Sequence, residues 1–437
     1  MNYDETVAYL FSRLPMFSRV GDAAFKKDLT NIRQLCEALG NPEKKFKSIH
    51  VAGTNGKGSV SHMLSAILQK AGYKTGLYTS PHLYDFRERI RMNGEMVPEK
   101  FVVGFTEKIQ PLIQQIQPSF FEITVAMAFE YFAEEKVDVA VIEVGLGGRL
   151  DSTNIILPEL SIITNIGFDH TQMLGDQLED IAREKAGIIK PDVPVVIGEI
   201  LPQTKWIFEL KARENKAPLY FTPDHFTAIH HQWQGGRLQV HYENRRAHRV
   251  EKYETDLAGL YQVKNLATVL TALPILEDSF PGLREAAPEA LKQVKKSTGL
   301  AGRWEVIHQN PKVVLEVAHN LNGMEQMLQH LAEENFDKLH IIIGVVKDKD
   351  ITSMLKLLPD SAQYYFTAAD IPRALDANEL QQQAGDLGLK GETYADVNIA
   401  LKASLRSAAA ADLIIVCGSI FLVAEVDTSI LQLTQVE

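Results

Sequence analysis

The chain has 437 residues, of which 45% are hydrophobic and 23% charged, and its formal net charge is −11. This length predicts two or three domains with sizeable apolar cores, and the acidic balance disfavours nucleic-acid binding, which depends on basic surfaces. No run of eighteen apolar residues predicts a transmembrane helix, the N-terminus lacks a secretory-signal pattern, and two distant cysteines, Cys36 and Cys417, favour a reducing cytoplasm over a disulfide framework.

The first half of the chain alternates between predicted helices and apolar strands. Residues 1–45 are expected to be helical, with a glycine stop in LTNIRQLCEALG, and the strand FKSIHVAG leads into a helix over 57–72. The apolar runs that follow are typical of strands buried on both faces of a parallel sheet. The remaining elements are the strands KTGLYTS, VDVAVIEVGL, LSIITNI and VPVVIGE and the helices 99–116, 120–135 and 177–190.

The pattern changes twice in the second half. Residues 218–250 contain short alternating segments such as RLQVHYENRRAHRV, which predict a small antiparallel sheet, and a helix is expected over 260–276. At 297–299 the alternation restarts with KVVLEVAHN, LHIIIGVV, AQYYFTAA and ADLIIVCGS, which predicts a smaller doubly wound α/β domain. We therefore expect two α/β domains, 1–297 and 298–437, joined by a short linker and separated by a cleft that opens and closes.

The segment HVAGTNGKGSVSHML, at 50–64, places a glycine-rich turn between a strand and a helix. Glycines let backbone N–H groups close around an anion, and the helix offers its positive end to the same anion. Lys57 adds a charge, and Ser59 supplies a hydroxyl for magnesium. Val51 and Gly58 break the general G-x-x-x-x-G-K-[ST] pattern. A phosphate-binding loop is the prediction, and a turn without a ligand is the alternative.

Polar side chains follow several predicted strands, at the sheet edge where α/β proteins bind ligands. Ser80 and His82 follow KTGLYTS and either face the phosphate loop or belong to an ordinary proline turn. Glu143 is a carboxylate inside an apolar strand, so it needs magnesium beside ATP phosphates or a salt bridge to a buried basic residue. Asp169 and His170 follow the next strand and are predicted to be functional.

Lys185 lies among small and apolar residues in IAREKAGIIK. A buried lysine amine loses its charge easily. A neutral amine can react with carbon dioxide to give a carbamate, which would supply oxygen ligands to a metal. A surface ion pair with Glu184 or Asp180 is the alternative interpretation.

Other polar residues are candidates for substrate contacts. In FRERIRMNG, an extended strand would put three arginines on one face for an anionic substrate tail, and a solvated charged edge is the alternative. These arginines are Arg87, Arg89 and Arg91. The segments GLYQVKNLATVL, GRWEV and LEVAHNLNG contribute residues that are expected to face the cleft from the far side, namely Asn265, Arg303, Glu316 and His319.

Taken together, these segments resemble the folylpolyglutamate synthase/dihydrofolate synthase family of Mur-ligase-like, ATP-dependent amide ligases. The matching motifs cover most of the chain in the family's order: G-T-N-G-K-G-S, T-S-P-H, E-R-I-R-x-N-G, F-E-x-T, E-V-G-L-G-G-R-L-D-S-T-N, D-H-x-x-x-L-G, I-A-x-E-K-A-G-I-I-K, G-R-W-E and A-H-N. The resemblance implies an α/β fold with a Mur-ligase-like P-loop ATPase domain of mostly parallel sheet and a smaller Rossmann-like C-terminal domain. It also implies that ATP activates a pterin or folate carboxylate as an acyl phosphate, which the amine of L-glutamate attacks.

The resemblance assigns roles to residues at matching positions. Those at ATP-contacting positions are Asn55, Gly56, Lys57, Gly58, Ser59, Asn265, Arg303 and Glu316. Those at the positions of ligands for two magnesium ions are Ser59, Ser80, Glu143, His170 and Lys185, the last being carbamylated in the family. The pterin-bearing substrate is expected near Asp28, Leu29, Thr30, Phe121, Glu122, Asp151 and Ser152. The expected catalytic residues are Lys57, His170, Lys185 and His319.

Two segments depart from the family pattern. The family usually has D-G-A-H-N-P where this chain has EVAHNL at 316–321, and H-Q-x-x-N where it has YQVKN at 261–265. A cell-wall Mur ligase, acting on another carboxylate acceptor, is one alternative, but it has a sizeable domain before the loop, for which the preceding residues are too few. A non-catalytic nucleotide switch is the other, and it would not need so many metal-type residues. The expected partners are folate or dihydropteroate, L-glutamate and ATP, bound by a monomeric cytoplasmic enzyme without nucleic-acid or membrane partners.

Overall fold

The structure, a computed structural model, describes residues 1–14 and 28–433. The chain divides into two compact units, Met1–Leu257 with Gln262–Leu300, and Ala258–Tyr261 with Ala301–Glu437. The sequence placed a boundary at 297–299 and gave no sign that the four residues Ala258–Tyr261 group with the second unit. No helix in the described ranges has both the length and the apolar character needed to cross a membrane.

The first unit is built on a large, mostly parallel sheet. Its described strands are β1 (Lys47–Ala52), β2 (Thr75–Tyr78), β3 (Ile90–Met92), β4 (Glu95–Met96), β5 (Val139–Glu143), β6 (Leu160–Ile163), β7 (Val195–Ile197) and β8 (Leu219–Phe221). They lie in the order β4-β3-β2-β5-β1-β6-β7-β8, with only β3 and β4 antiparallel to their neighbours. The predicted mostly parallel sheet is confirmed.

A small antiparallel sheet follows, as predicted. Its strands are β9 (Phe226–Gln234), β10 (Arg237–Asn244) and β11 (Arg249–Thr255). The predicted range began too early, because β8 pairs in parallel with β7 at the edge of the large sheet. Residues 219–221 thus belong to the large sheet, and the small sheet begins only at Phe226.

Helices cover both faces of the large sheet. They are α1 (Tyr3–Arg13), α2 (Thr30–Ala38), α3 (Lys57–Lys70), α4 (Glu99–Ile116), α5 (Phe120–Glu134), α6 (Thr171–Leu174), α7 (Leu178–Ala186), α8 (Pro202–Glu214), α9 (Gln262–Leu276), α10 (Leu283–Leu291) and α11 (Val294–Thr298). Successive residues of β5 enter opposite cores: Val141 packs with α3, α9 and α10, and Ile142 packs with α1, α2, α4 and α5. This two-sided burial explains why the strands read as continuous apolar runs.

Most predicted helices agree with the structure to within a few residues. The helix predicted over 99–116 is α4, and that over 120–135 is α5, which starts at a capping box between Ser119 and Glu122. The helix predicted over 177–190 is shorter, because α7 ends before Gly187. Part of the helix predicted over 1–45 lies outside the described residues. Before that part the chain forms α1, and after it the chain forms α2.

The second unit is a smaller α/β layer structure. Its strands β12 (Glu305–Gln309), β13 (Lys312–Leu315), β14 (Leu339–Ile343), β15 (Gln363–Phe366), β16 (Gly391–Thr393) and β17 (Leu413–Cys417) lie in the order β12-β13-β17-β14-β15-β16, and only β12 is antiparallel. The helices are α12 (Leu321–Leu331), α13 (Ile351–Leu357), α14 (Ala377–Gly385), α15 (Val397–Ser407), α16 (Ile420–Ala424) and α17 (Ile430–Leu433). Both cysteines are buried and free of disulfides, as expected.

Candidate active site

The glycine-rich turn between β1 and α3 requires glycine at two positions. Gly56 has a φ of +82° and Gly53 a φ of +149°. A Cβ atom at Gly56 would overlap the side-chain oxygen of Asn265, and one at Gly53 would overlap the hydroxyl of Thr164. The turn leads directly into α3, whose first backbone N–H groups have no acceptor within the helix. The loop therefore has the backbone geometry of an anion site at a helix N-terminus.

Neighbouring strand ends fix the shape of this loop. The backbone N–H of Asn55 donates to Oδ1 of Asn165 at 2.9 Å, and the hydroxyl of Thr164 donates to the carbonyl of Asn55 at 2.5 Å. Asn165 also donates to a carboxylate oxygen of Glu199 at 3.2 Å. Sequence reasoning did not single out Asn165, although it lies near the end of LSIITNI, two residues after β6, and so satisfies the rule for polar residues at strand ends.

Helix α9 holds the other side of the loop. The side-chain amide of Gln262 donates to the hydroxyl of Ser59 at 3.0 Å, and Asn265 donates to Oε1 of Gln262 at 2.9 Å. All three side chains are buried. Gln262 was not among the predicted site residues, although it lies one helical turn before Asn265, on the same face of α9.

Substitution of Gly56 tests the shape of the loop. We expect Gly56→Ala to weaken ATP binding roughly tenfold or more, because Asn265 must move and the loop with it. Gly72→Ala is the matched control, since Gly72 also has positive φ, at +96°, but a Cβ there meets no atom within 4 Å. Calorimetric titration with ATP should separate the two variants. Equal ATP affinities in both would contradict the proposed contact of this loop with the nucleotide.

Two lysines share one backbone carbonyl in the loop. Nζ of Lys57 donates to the carbonyls of Gly53 and Thr54, both at 3.1 Å, and Nζ of Lys185 donates to the same Gly53 carbonyl at 2.9 Å. Lys185 is buried, and this burial together with the charge of Lys57 lowers its pKa to about 7. The structure thus brings together two predicted catalytic residues that are far apart in the sequence.

The predicted surface alternative for Lys185 is wrong. Glu184 pairs with Arg149 at 2.8 Å, and Asp180 pairs with Arg183 at 2.8 Å, so neither carboxylate is the partner of Lys185. The physical reason is the orientation of α7. Consecutive side chains of a helix point to different sides, so Glu184 lies on the outer side of α7 and Lys185 faces the buried loop.

Glu143 ends β5 and is buried at the same sheet edge. Its Oε2 accepts the backbone N–H of Ser80 at 3.2 Å, because β2 and β5 are parallel neighbours and their carboxyl ends coincide. Within residues 1–14 and 28–433, no group of three His, Cys, Asp or Glu side chains could hold a metal ion. A hard cation at this position would therefore need phosphate oxygens as ligands in addition to the carboxylate and the serine hydroxyls. Mg²⁺ usually binds in this way, and the oxygen donors of Glu143 and Ser59 fit that ion.

His170 precedes the short helix α6 in a left-handed conformation, with a φ of +51°. Its backbone N–H donates to Oδ1 of Asp169 at 2.9 Å, and its Nε2 lies 3.8 Å from the same oxygen. The carboxylate of Asp169 opposes the lowering of the Lys185 pKa, so its charge acts on that amine. Asp169 therefore lies near Lys185, and His170 contacts Asp169.

Asp151 is the anchor of the loop that follows Glu143. Its Oδ2 accepts the N–H of Leu146 at 2.8 Å, and its Oδ1 accepts the N–H and the hydroxyl of Thr153 at 2.9 and 2.5 Å. Burial raises the pKa of Asp151, and these hydrogen bonds oppose that effect. Ser152 begins the 3₁₀ turn that the aspartate caps.

The other predicted substrate residues have well-defined local partners. Phe121 lies against the same loop, since a Cβ at Gly145 would overlap its ring. The carboxylate of Glu122 accepts the N–H of Ser119 at 2.7 Å in the cap of α5. The side chain of Asp28 accepts the N–H of Thr30 at 2.7 Å, and Leu29 lies between them at the start of α2. Glu122 and Asp28 are thus engaged in local capping contacts.

The prediction of one basic face in FRERIRMNG was wrong. Residues Phe86–Arg89 form a capped 3₁₀ turn, not an extended strand, so the three arginines point in different directions. Each has a separate partner: Arg87 pairs with Asp85, Arg89 donates to Nδ1 of His82, and Arg91 donates to the carbonyl of Gly94. The ring of His82 packs near that of Phe86 in an aromatic cluster, so His82 is occupied by this packing and by its contact with Arg89.

In the second unit, a buried carboxylate ends β13. Oε2 of Glu316 accepts the hydroxyl of Tyr261 at 2.7 Å and the backbone N–H of Trp304 at 2.9 Å. Burial raises the pKa of Glu316 to about 7, and the guanidinium of Arg303 opposes this shift. Nδ1 of His319 lies 3.0 Å from the carbonyl of Val317.

Two of the residues that depart from the family pattern therefore contact each other. Tyr261 and Glu316 form one hydrogen-bonded pair within the second unit, which explains why the segment Ala258–Tyr261 belongs to that unit. Sequence reasoning noted both departures but had no means of pairing them.

Replacing Glu316 should change the pH dependence of stability. Between the ordinary pKa of 4.5 and the folded value of about 7, the folded state binds more protons, so wild-type stability falls as pH rises through this range. Glu316→Gln removes the titration, and we expect it to be more stable than wild type above pH 7 by on the order of 2 kcal/mol. Thermal denaturation from pH 5 to 8 measures this, with the exposed Glu325→Gln as control. Parallel pH profiles for wild type and Glu316→Gln would contradict a raised pKa.

Comparison with known proteins agrees with this arrangement. The family model of the Mur ligase middle domain matches residues 51–273, and that of the Mur ligase glutamate ligase domain matches residues 302–420. The dihydrofolate synthase/folylpolyglutamate synthase of Bacillus subtilis is 32% identical over 92% of this chain and 94% of its own length. The folylpolyglutamate synthase of Lacticaseibacillus casei is 33% identical over 99% of both chains.

The chain belongs to the folylpolyglutamate synthase/dihydrofolate synthase family. Among solved structures of this family, E. coli FolC in complex with DHPP and ADP has a TM-score of 0.84 at 29% identity, and the alignment covers 100% of this chain and 99% of that one. The folylpolyglutamate synthase of Mycobacterium tuberculosis complexed with ADP has a TM-score of 0.84 at 30% identity and covers 97% of this chain and 96% of that chain. The family predicted from the sequence motifs is confirmed.

Proposed function

We propose that the protein is an ATP-dependent ligase that joins L-glutamate to the carboxylate of a pterin or folate and releases ADP and phosphate. The observation that carries the proposal is the meeting of Lys57 and Lys185 on the carbonyl of Gly53, at the start of α3 and beside the buried carboxylate of Glu143. Positive charge and a helix N-terminus at one point suit transfer of a phosphoryl group between two anions.

The proposed chemistry follows from the weakness of a carboxylate as an acyl donor. The acceptor carboxylate attacks the γ-phosphorus of ATP, and ADP leaves with the bond electrons. The amine of glutamate then attacks the acyl phosphate, and phosphate leaves. Lys57 moves from its two backbone carbonyls to the β- and γ-phosphates, and the loop Asn55–Ser59 binds them through its N–H groups.

Magnesium belongs to the proposal. The residues that would hold it are Ser59, Ser80 and Glu143 for one ion, and His170 with Lys185 for a second. Mg²⁺ would neutralise the phosphate charge. Lys185 would contribute as a carbamate, and its lowered pKa supports this, because only the neutral amine reacts with carbon dioxide.

The acceptor and the second unit complete the assignment. Phe121 offers a ring beside the loop of Asp151 for the flat pterin, and Ser152 adds a hydroxyl. Asn265, Arg303 and Glu316 are assigned to the nucleotide and His319 to glutamate. Glu122, Asp28, Leu29 and Thr30 carry the weakest support, since the carboxylate of Glu122 already caps α5 and that of Asp28 already accepts the N–H of Thr30.

Phosphate release by the purified protein tests the function. MgATP and L-glutamate are supplied with dihydropteroate, with tetrahydrofolate or without an acceptor. Release with both acceptors identifies a bifunctional enzyme, and release with one names its activity. If neither acceptor leads to phosphate release, although the protein binds ATP, the folate assignment is overturned in favour of another carboxylate acceptor. We expect a monomer of 48.8 kDa, which light scattering checks.

A further inference from the structure

His50 is a fully buried polar side chain in the middle of β1 that none of the assigned roles uses. Its Nε2 lies 2.9 Å from the hydroxyl oxygen of Thr153. Its Nδ1 has no hydrogen-bond partner among the described residues. Buried polar atoms are nearly always paired, so a half-paired histidine in a sheet core needs a reason.

The hydrogen bonds around Thr153 have only one consistent direction. Asp151 accepts three bonds, from the N–H of Leu146 and from the N–H and hydroxyl of Thr153, so the hydroxyl proton of Thr153 points at the carboxylate. The hydroxyl oxygen must then accept from Nε2–H of His50. Burial lowers the pKa of His50 to about 3, which keeps the ring neutral, with the lone pair on the unpartnered Nδ1.

We propose that His50 is a positioning residue that acts through the Thr153 hydroxyl to hold Asp151 in the orientation that fixes the loop 145–148 beside the acceptor site. The proposal rests on the proposed function, because it concerns the residues assigned there to the acceptor. His50 touches neither substrate nor reacting atoms, and its effect passes through Thr153 and Asp151 alone.

The loop 145–148 explains why such positioning matters. It begins two residues after Glu143, and Gly145 lies against the ring of Phe121. A Cβ at Gly148 would lie 3.1 Å from the backbone carbonyl of Lys185, so the loop also packs on α7. One displaced loop would therefore disturb the proposed acceptor ring, the proposed metal carboxylate and the buried lysine together.

The position of His50 also links this loop to the phosphate loop. His50 lies in β1, three residues before Gly53, which directly follows that strand, and β1 pairs in parallel with β5, with His50 opposite Ile142. A hydrogen bond from β1 to Thr153 thus connects the strand that begins the phosphate loop with the turn that follows the glycine loop. The side chain of His50 is thus one of the links between the two loops that would hold ATP and the acceptor.

Substitutions at position 50 distinguish positioning from a purely structural role. His50→Leu is close in volume and removes the unpartnered nitrogen together with the donor, so a structural role predicts unchanged kinetics. Positioning predicts that kcat/KM for the acceptor falls roughly tenfold or more, with KM for ATP unchanged, because the acceptor side of the site is displaced. His50→Gln keeps an N–H donor near Nε2 and should recover most of the loss.

A second set of variants removes the hydroxyl of Thr153, which lies between His50 and Asp151 in the same series of hydrogen bonds. Thr153→Val removes the hydroxyl at constant shape and should reproduce the acceptor defect, and Thr153→Ser should not. The double variant His50→Leu/Thr153→Val should be no worse than either single variant, since both act on one path. His340→Leu is the control for loss of a buried histidine, because His340 bonds Tyr365 and Asp412 in the second unit and is expected to leave acceptor KM unchanged.

Asp151→Asn separates failure of this proposal from failure of the proposed function. If Asp151→Asn leaves acceptor kinetics unchanged, the acceptor assignment fails and the relay with it. If Asp151→Asn impairs acceptor kinetics and His50→Leu does not, the relay alone is overturned. Long-range ¹H–¹⁵N spectra of histidine-labelled protein, with His50→Gln for assignment, provide a further check: we expect a neutral Nε2–H tautomer from pH 5.5 to 8, and an Nδ1–H tautomer would overturn the relay.

Discussion

Replacing Lys57 by alanine is expected to lower kcat/KM for ATP about a thousandfold, the range seen when one charged contact to a transferring phosphoryl group is lost. The ammonium lies at the N-terminus of α3 and donates to the carbonyls of Gly53 and Thr54, and no carboxylate among the described residues competes for it. Its removal also takes away a charge that lowers the pKa of Lys185, so the pKa of Lys185 changes as well.

The matched control for Lys57→Ala is Lys70→Ala. Lys70 is the last residue of the same helix and is exposed, so the substitution removes the same charge from α3 at its far end. Phosphate release and ATP titration measured side by side should show a defect for position 57 alone. If Lys57→Ala retains more than a tenth of wild-type turnover, the assignment of the phosphate loop is wrong.

Replacing Lys185 by methionine is expected to abolish turnover while making the protein more stable. The buried amine has a folded pKa of about 7 against an ordinary value of 10.5. Between these values the unfolded state binds more protons, so wild-type stability rises as pH rises from 7 to 10.5, and the full cost of burial is present below pH 7. Methionine removes that cost, and we expect a gain on the order of 3 kcal/mol at pH 6.

Denaturation of wild type and Lys185→Met at pH 6, 8 and 10 measures this gain, which should shrink as pH rises. Lys190→Met is the control for the stability effect, because Lys190 also has a pKa lowered by burial, to about 8, and donates to the carbonyl of Asn154. It should show a gain in stability with the same direction of pH dependence. A Lys185→Met protein with normal turnover would contradict a catalytic role for this amine.

The carbamate has a test of its own in the smaller variant Lys185→Ala. The truncated side chain leaves space beside the Gly53 carbonyl, and a short carboxylic acid in the buffer would place oxygen atoms there. Partial recovery of turnover with acetate or propionate, absent for Lys57→Ala under the same conditions, is the expected result. No recovery with any such acid would count against the carbamate.

Much of the fold could be predicted from the sequence because its signals are local. The apolar runs of β1 and β5 predict strands buried on both faces, and the cap residues Ser119 and Glu122 mark the start of α5. Prediction failed where a second local signal in the same segment favoured a different secondary structure. FRERIRMNG alternates like a strand, but the cap formed by Asp85 and Glu88 winds its first half into a 3₁₀ turn.

The candidate site was predicted as residue types and not as contacts. Lys185 was selected for its apolar neighbours in sequence, yet its partner, the Gly53 carbonyl, lies 132 residues away. Gln262, although it lies in YQVKN, and Asn165, although it follows β6, were not predicted as site residues, and their contacts appear only from the packing of α9 and β6 beside the proposed phosphate loop. Such contacts depend on how elements are stacked, which a pattern along one chain does not encode.

The sequence by itself determined the family and the parallel sheets and predicted the phosphate loop, because glycine conformation, helix ends and apolar periodicity are properties of neighbouring residues. The tertiary structure alone decided which groups share a carbonyl, a carboxylate or a hydroxyl. Burial beside the charge of Lys57 gives Lys185 its low pKa, and burial gives Glu316 its high pKa, although the hydrogen bond from Tyr261 opposes that shift. These shifts arise from desolvation and from charges brought near by folding, and neither exists in the extended chain.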